Sequence, residues 1–196
     1  MVKTIDDVFS EWVGGLNLEE ARMCIFSKIR DIPYAAIPEL NEPSQCIRIL
    51  ELNKGSCTPK HFLLYQMYQK LGLQVLYSVF PYRWDEFDYL YPPELKQLAG
   101  TMPVANHLAC RVEIDGELVL VDATLDPALA AVGLPVNTGW DGKSNTLLPV
   151  VPCGEEQLYH PLEAHLMPAS QIDELSLSFY RGLNSWMESL RKKVSS

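Results

Sequence analysis

Cys57 heads a run, Ser56 to Gly72, that reads as a helix with clear ends. Ser56 can cap it, Pro59 falls in the first turn where no N–H is missed, and Gly72 closes it. Peptide N–H groups at a helix start are unpaired and the macrodipole is positive there, so a thiolate is favoured over a thiol. Such cysteines have pKa values lowered from about 8.5 into a range of roughly 3.5–7.5, especially beside a cation. The thiolate is the nucleophile, so Cys57 is placed for covalent catalysis. A small residue packed beneath Pro59 is the competing explanation.

Fifty residues later the sequence offers a base. Asp115-Gly116, the dipeptide favoured in a type I′ turn, separates two alternating apolar runs between His107 and Thr124. With a two-residue turn, Ile114 faces Glu117, Ala109 faces Asp122 and His107 faces Thr124. His107 and Asp122 then share a sheet face as diagonal neighbours, about 7–8 Å apart along the backbone and closer between side chains. The opposite face carries Leu108, Cys110, Val112, Ile114, Val119 and Val121, a set fit for a core. A solvated surface pair is the alternative for His107 and Asp122. Taken with Cys57, they make a nucleophile, a base and an orienter. His107 takes the thiol proton, Asp122 fixes its tautomer, and the Cys57 N–H is an oxyanion donor. His61, one turn along the helix, is a second candidate base, without an orienting partner in the sequence.

Further elements must position these residues. Val8, Phe9 and Trp12, then Ala21, Ile25 and Ile29, recur at helical spacing on either side of Gly14-Gly15 and predict two short helices. Pro33, Pro38 and Pro43 predict an extended connection. Val75 to Phe80 reads as a strand, and so does Thr146 to Val151. Between them lies a long excursion from Trp84 to Val104 with a short helix around Glu94 to Leu98, in which Arg83-Trp84 and the stretch from Asp85 to Tyr91 could line a cleft. Ser170 with Asp173 suggests a capped start for a last helix over about 170–193. Ile172, Leu175, Phe179, Leu183, Trp186 and Leu190 give it one apolar face.

Gly55-Ser56-Cys57 opening a helix, Asn106-His107 opening a strand, and Val121-Asp122-Ala123-Thr124 closing its partner together resemble the transglutaminase-like superfamily of papain-like thiol enzymes. Ile32-Pro33-Tyr34 and Leu71-Gly72-Leu73 look like features of the same family, and the resemblance covers about 29–126. It implies an α+β fold in which the thiol helix packs on an antiparallel sheet bearing His107 and Asp122; the N-terminal helices and the C-terminal amphipathic helix come from the spacing alone, and, with nothing marking a linker, the expectation is one domain over 1–196. The resemblance implies catalytic roles for Cys57, His107 and Asp122, a thioester intermediate, a peptide or protein substrate, and no cofactor.

Composition limits the alternatives. Sixteen Lys and Arg against 25 Asp and Glu leave a net charge of −9, the wrong sign for gripping a phosphate backbone. No apolar run reaches the roughly 18 residues of a membrane span. The acidic N-terminal stretch lacks the basic-then-apolar order of a signal peptide. Five cysteines (Cys24, Cys46, Cys57, Cys110, Cys153), an odd count without a C-x-x-C pair, suit free thiols in a reducing cytoplasm. Cys153, His160 and His165 form the most metal-like grouping, at a spacing that fits no standard site. The expectation is a cytoplasmic amide hydrolase binding neither nucleic acid nor membrane. The alternatives are acyl transfer to an amine, or a binding module without turnover.

Overall fold

Thr4 and Asn17 start the first two helices by the same device. Each side chain accepts the N–H three residues on, and the acid at that position, Asp7 or Glu20, bonds back to the cap's own N–H. In the computed structural model, which describes residues 3–87, 91–168 and 172–194, these caps open α1 (Ile5–Val13) and α2 (Leu18–Arg30). The prolines hold an extended connection broken by two 3-10 turns. A short helix that the sequence reading does not predict, α3 (Arg48–Leu52), follows and ends at Asn53 in the left-handed region, φ 49°. Gly55 then passes so close to α3 that a Cβ there would lie 2.8 Å from the Ile49 side chain. Only glycine lets the chain enter α4 (Cys57–Lys70) along this path.

The described strands form a four-stranded antiparallel sheet in the order β3-β2-β1-β4: β1 (Val75–Tyr82), β2 (Ala105–Ile114), β3 (Glu117–Val121) and β4 (Gln157–Tyr159). Asp115 and Gly116 both adopt positive φ, 54° and 87°, as a type I′ turn requires, and Ile114 pairs with Glu117 in the expected register. The fold is therefore mixed α+β.

α4 lies between α2 and the sheet, with Leu63, Leu64, Met67 and Tyr68 fully buried against Tyr77, Leu108, Cys110, Val112 and Val121. A second cluster joins α5 (Pro93–Ala99) to α6 (Glu174–Val194) through Trp84, Leu95, Phe179, Leu183 and Met187. The packing thus extends past 29–126 in both directions: Val8 and Ile25 belong to the first cluster, and α6 to the second.

Two expectations are corrected. Thr146 to Val151 forms no strand. Pro149 and Pro152 remove ladder donors, and the segment meets β3 only through side chains and one backbone bond, Thr146 N–H to Leu120 O at 2.9 Å. The fourth strand is β4 instead, three residues that carry little pattern. The last helix starts at Glu174, with the Asp173 carboxylate accepting the Ser176 N–H at 2.8 Å; Ser170 lies outside the described residues. Of its predicted stripe, Ile172 and Leu175 are exposed, and the buried face runs through Phe179, Leu183 and Met187.

Candidate active site

The start of α4, the third residue of β2 and the first residue past β3 converge. Cys57 is 9% exposed, His107 2% and Asp122 1%. His107 Nε2 donates to Asp122 Oδ2 at 2.5 Å, and its ring lies close enough to the Cys57 thiol for each to shift the other's pKa. The diagonal pairing expected from the hairpin is thus a direct contact.

The three groups charge one another. Burial acts to raise the Cys57 pKa, but the adjacent His107, the Leu108 N–H and the Thr58 hydroxyl bring it below its usual value. Burial opposes the imidazolium of His107, yet the Asp122 carboxylate and the thiolate raise its pKa. Asp122 is buried, which would raise its pKa, and is held low by His107 and by the Thr124 N–H. Thiolate, imidazolium and carboxylate are the state that fits.

Asp122 is fixed from several sides. Thr124 N–H reaches its Oδ1 at 2.9 Å, its own N–H meets Thr146 Oγ1 at 2.8 Å, and Asn137 Nδ2 meets its carbonyl at 3.0 Å. The segment expected to be a strand therefore braces the orienting carboxylate.

His61 is excluded as the base by its partners. Its Nε2 accepts the Ala123 N–H at 3.0 Å, so Nδ1 carries the proton and donates to the Cys57 carbonyl at 2.8 Å. Burial holds the ring neutral, pushing its pKa down to about 4. His61 ties the Cys57 backbone to that of Ala123, the residue after Asp122. Lys60, whose sequence context marks no role, is fully buried and donates to three carbonyls: Arg30 O at 3.1 Å, Ile32 O at 2.5 Å and Thr124 O at 2.7 Å. Burial lowers its pKa to about 7, against the pull of Asp126 and Asp122, while three acceptors need all three ammonium hydrogens. The available signal was helical spacing, since residues 60 and 61 stand one turn from Cys57 on the same side of α4.

A second network, without a sequence signal, joins α6 to the site. Arg191 bonds both Asp126 oxygens, at 3.0 and 2.7 Å, and the Tyr34 carbonyl at 2.9 Å, while Asp126 accepts the Tyr34 N–H at 2.9 Å. Asn184 holds the backbone of Ala36 through both its N–H and its carbonyl, at 2.7 and 2.9 Å. The Ser56 hydroxyl makes no cap to α4 and reaches Asn41 Oδ1 at 3.5 Å instead.

Above Cys57 lies a narrow slot of about 50 Å³, walled by Tyr34, Ile37, Tyr82, Trp84, Asn106 and Tyr180. Past Pro38, Asn41, Thr58 and Asn106 it meets a groove of about 520 Å³ lined in part by Phe62, Met167 and Ile172. Of the stretch expected to line a cleft, Trp84 borders the slot, Arg83, Asp85, Glu86, Phe87 and Tyr91 do not, and residues 88–90 lie outside the described residues. All five cysteines are free; Cys46 and Cys110 are buried away from the slot, and Cys153 is exposed. Among the described residues no three His, Cys, Asp or Glu side chains gather as a metal site, so Cys153, His160 and His165 do not form one. Nor is any described helix long and apolar enough to cross a membrane. No protein-family model matches the chain, and no curated protein matches it.

Proposed function

We propose that this protein is a transglutaminase-like thiol enzyme with a papain-like core, hydrolysing an amide bond in a peptide or protein substrate. One observation carries the reading: a buried imidazole is bonded to a buried carboxylate and stands beside a thiol at a helix start. The packing of that helix on an antiparallel sheet supports it.

The Cys57 thiolate attacks the substrate carbonyl, and the Cys57 N–H, free at the helix start, meets the oxyanion. The His107 imidazolium gives its proton to the departing amine and leaves a thioester on Cys57. Neutral His107 then takes a proton from water, whose oxygen attacks the thioester, and the acid leaves as thiolate and imidazolium re-form. Asp122 holds the imidazole in one tautomer throughout and stabilises its charge.

Peptide, glutamine and isopeptide substrates, offered to wild type and Cys57→Ala, test the reading. Acid-quenched intact-mass spectra should show an acyl adduct on the wild type alone, with a carboxylic acid as product. An amine adduct in place of the acid would move the assignment to acyl transfer. Full turnover in Cys57→Ala would remove Cys57 as nucleophile.

A further inference from the structure

We propose that the slot over Cys57 admits only small, unbranched, uncharged acyl groups, and that Tyr180 of α6 sets this limit. The proposal rests on Cys57 being the nucleophile.

Size is the first argument. A single water molecule needs about 10–15 Å³ of cavity. The slot's 50 Å³ therefore holds only a few groups of that size, enough for an acetyl or propionyl chain and too little for a ring or a quaternary carbon.

The stiffness of the walls is the second. Tyr34, Tyr82 and Trp84 are all buried, and the ring of Tyr82 packs edge-on against Trp84 at 5.0 Å and against His107 at 6.4 Å. Trp84 in turn packs at 4.9 Å on Phe179. None of these rings can withdraw without opening the core around α6. The facing wall, Ala36 to Pro38, is tied to α6 by the paired bonds of Asn184, one turn beyond Tyr180. The gap between α6 and this wall is thus fixed, and Tyr180 is the half-buried α6 side chain that borders the slot.

Charge is the third. Among the described residues that line the slot, none is Asp, Glu, Lys or Arg. A carboxylate-bearing acyl group would lose its hydration with no Lys or Arg on the walls to meet it, while the one nearby cation, the His107 imidazolium, is already paired with Asp122 and the thiolate.

p-Nitrophenyl esters read this directly. The thiolate sulfur adds to the ester carbonyl, the C–S bond forms, and the C–O bond breaks with p-nitrophenolate leaving on the electron pair. The thiol proton remains on His107. Acylation rates for acetate, propionate, trimethylacetate, benzoate and succinate esters would be divided by their rates with free cysteine. Acetate and propionate should react, and each of the other three should fall by roughly 10–200-fold, the range over which pocket fit discriminates. Tyr180→Ala should raise the benzoate-to-acetate ratio by roughly tenfold, while Tyr180→Phe, which keeps the ring, should leave it unchanged. Tyr180→Leu serves where the alanine variant does not fold. Acylation of Cys57 without size or charge discrimination, or the same ratio in the Tyr180→Ala and Tyr180→Leu variants, overturns the proposal while leaving Cys57 as nucleophile. Failure of every ester to acylate Cys57 overturns both.

Discussion

His61→Phe should make the protein less stable at neutral pH and nearly as stable as wild type at pH 4. Phenylalanine keeps a ring in a site with no exposed surface but carries neither nitrogen. The Ala123 N–H is then buried without its acceptor, at about 1–3 kcal/mol, and the Cys57 carbonyl loses a donor, at about 0.5–1.5 kcal/mol. Roughly 2–4 kcal/mol should be lost at pH 7.5. Acid acts on the wild type differently. Burial and the neighbouring His107 and Lys60 charges hold folded His61 neutral down to about pH 4, with Asp122 opposing, while the unfolded chain protonates it near its ordinary 6.5. The unfolded state therefore takes up the extra proton as pH falls. This contribution is whole above pH 6.5 and is lost as pH falls through about 4; the interval amounts to about 3 kcal/mol. The variant has no such proton to exclude, so the gap between the two proteins should close. Urea unfolding followed by tryptophan fluorescence at pH 7.5, 6, 5 and 4 measures it. Parallel stability curves with a constant gap would refute the buried, neutral His61.

Other consequences are as direct. Iodoacetamide should alkylate Cys57 near neutral pH along a pH–rate curve centred below the ordinary thiol value. Cys46, pushed up to about 11 by burial, and the buried Cys110 should stay unlabelled; a Cys57 curve at or above the ordinary value would contradict the ion pair. Asp122→Asn should cut acylation on the order of 10⁴-fold with the fold retained, because the imidazole would be held in the wrong tautomer; near-normal rates would remove Asp122 as orienter. Ending the chain after residue 173 removes the burial of Phe179, Leu183 and Met187, roughly 5–9 kcal/mol at 1.5–3 kcal/mol each and comparable to a domain's whole stability. A truncated protein that stayed soluble and equally stable would show α6 to be a detachable arm.

What could be read from the sequence is what local chemistry determines. The capped helices, the prolines and the Asp115-Gly116 turn each depend on a few adjacent residues. The turn alone set the hairpin register, and through it the approach of His107 to Asp122. Contacts between distant segments left no such mark. Lys60 looks like any helix lysine until the carbonyls of Arg30, Ile32 and Thr124 surround it, and Arg191 stands 65 residues from its partner Asp126. Thr146 to Val151 has the composition of a strand, but Pro149 within it and Pro152 just past it left it only side-chain bonds and a single backbone bond to offer β3. β4, with three residues, is too short for alternation to identify.

These unmarked contacts explain how a triad drawn from three separate elements keeps its geometry. Cys57 begins α4, while Asp122 lies just past the end of β3, where ladder bonding has stopped and a free loop would let the carboxylate drift. α4 itself prevents this. Its second turn sends His61 to the Ala123 N–H and Lys60 to the Thr124 carbonyl, so the two residues following Asp122 are bonded to the helix that carries the thiol. His107 sits on β2, an inner strand of the sheet, where it pairs with Phe80 of β1. The separation of Cys57, His107 and Asp122 is thus set by one helix and one sheet. That is the condition under which a buried thiolate and imidazolium are worth their desolvation, because groups already fixed at bonding distance need no reorganisation when charge moves between them.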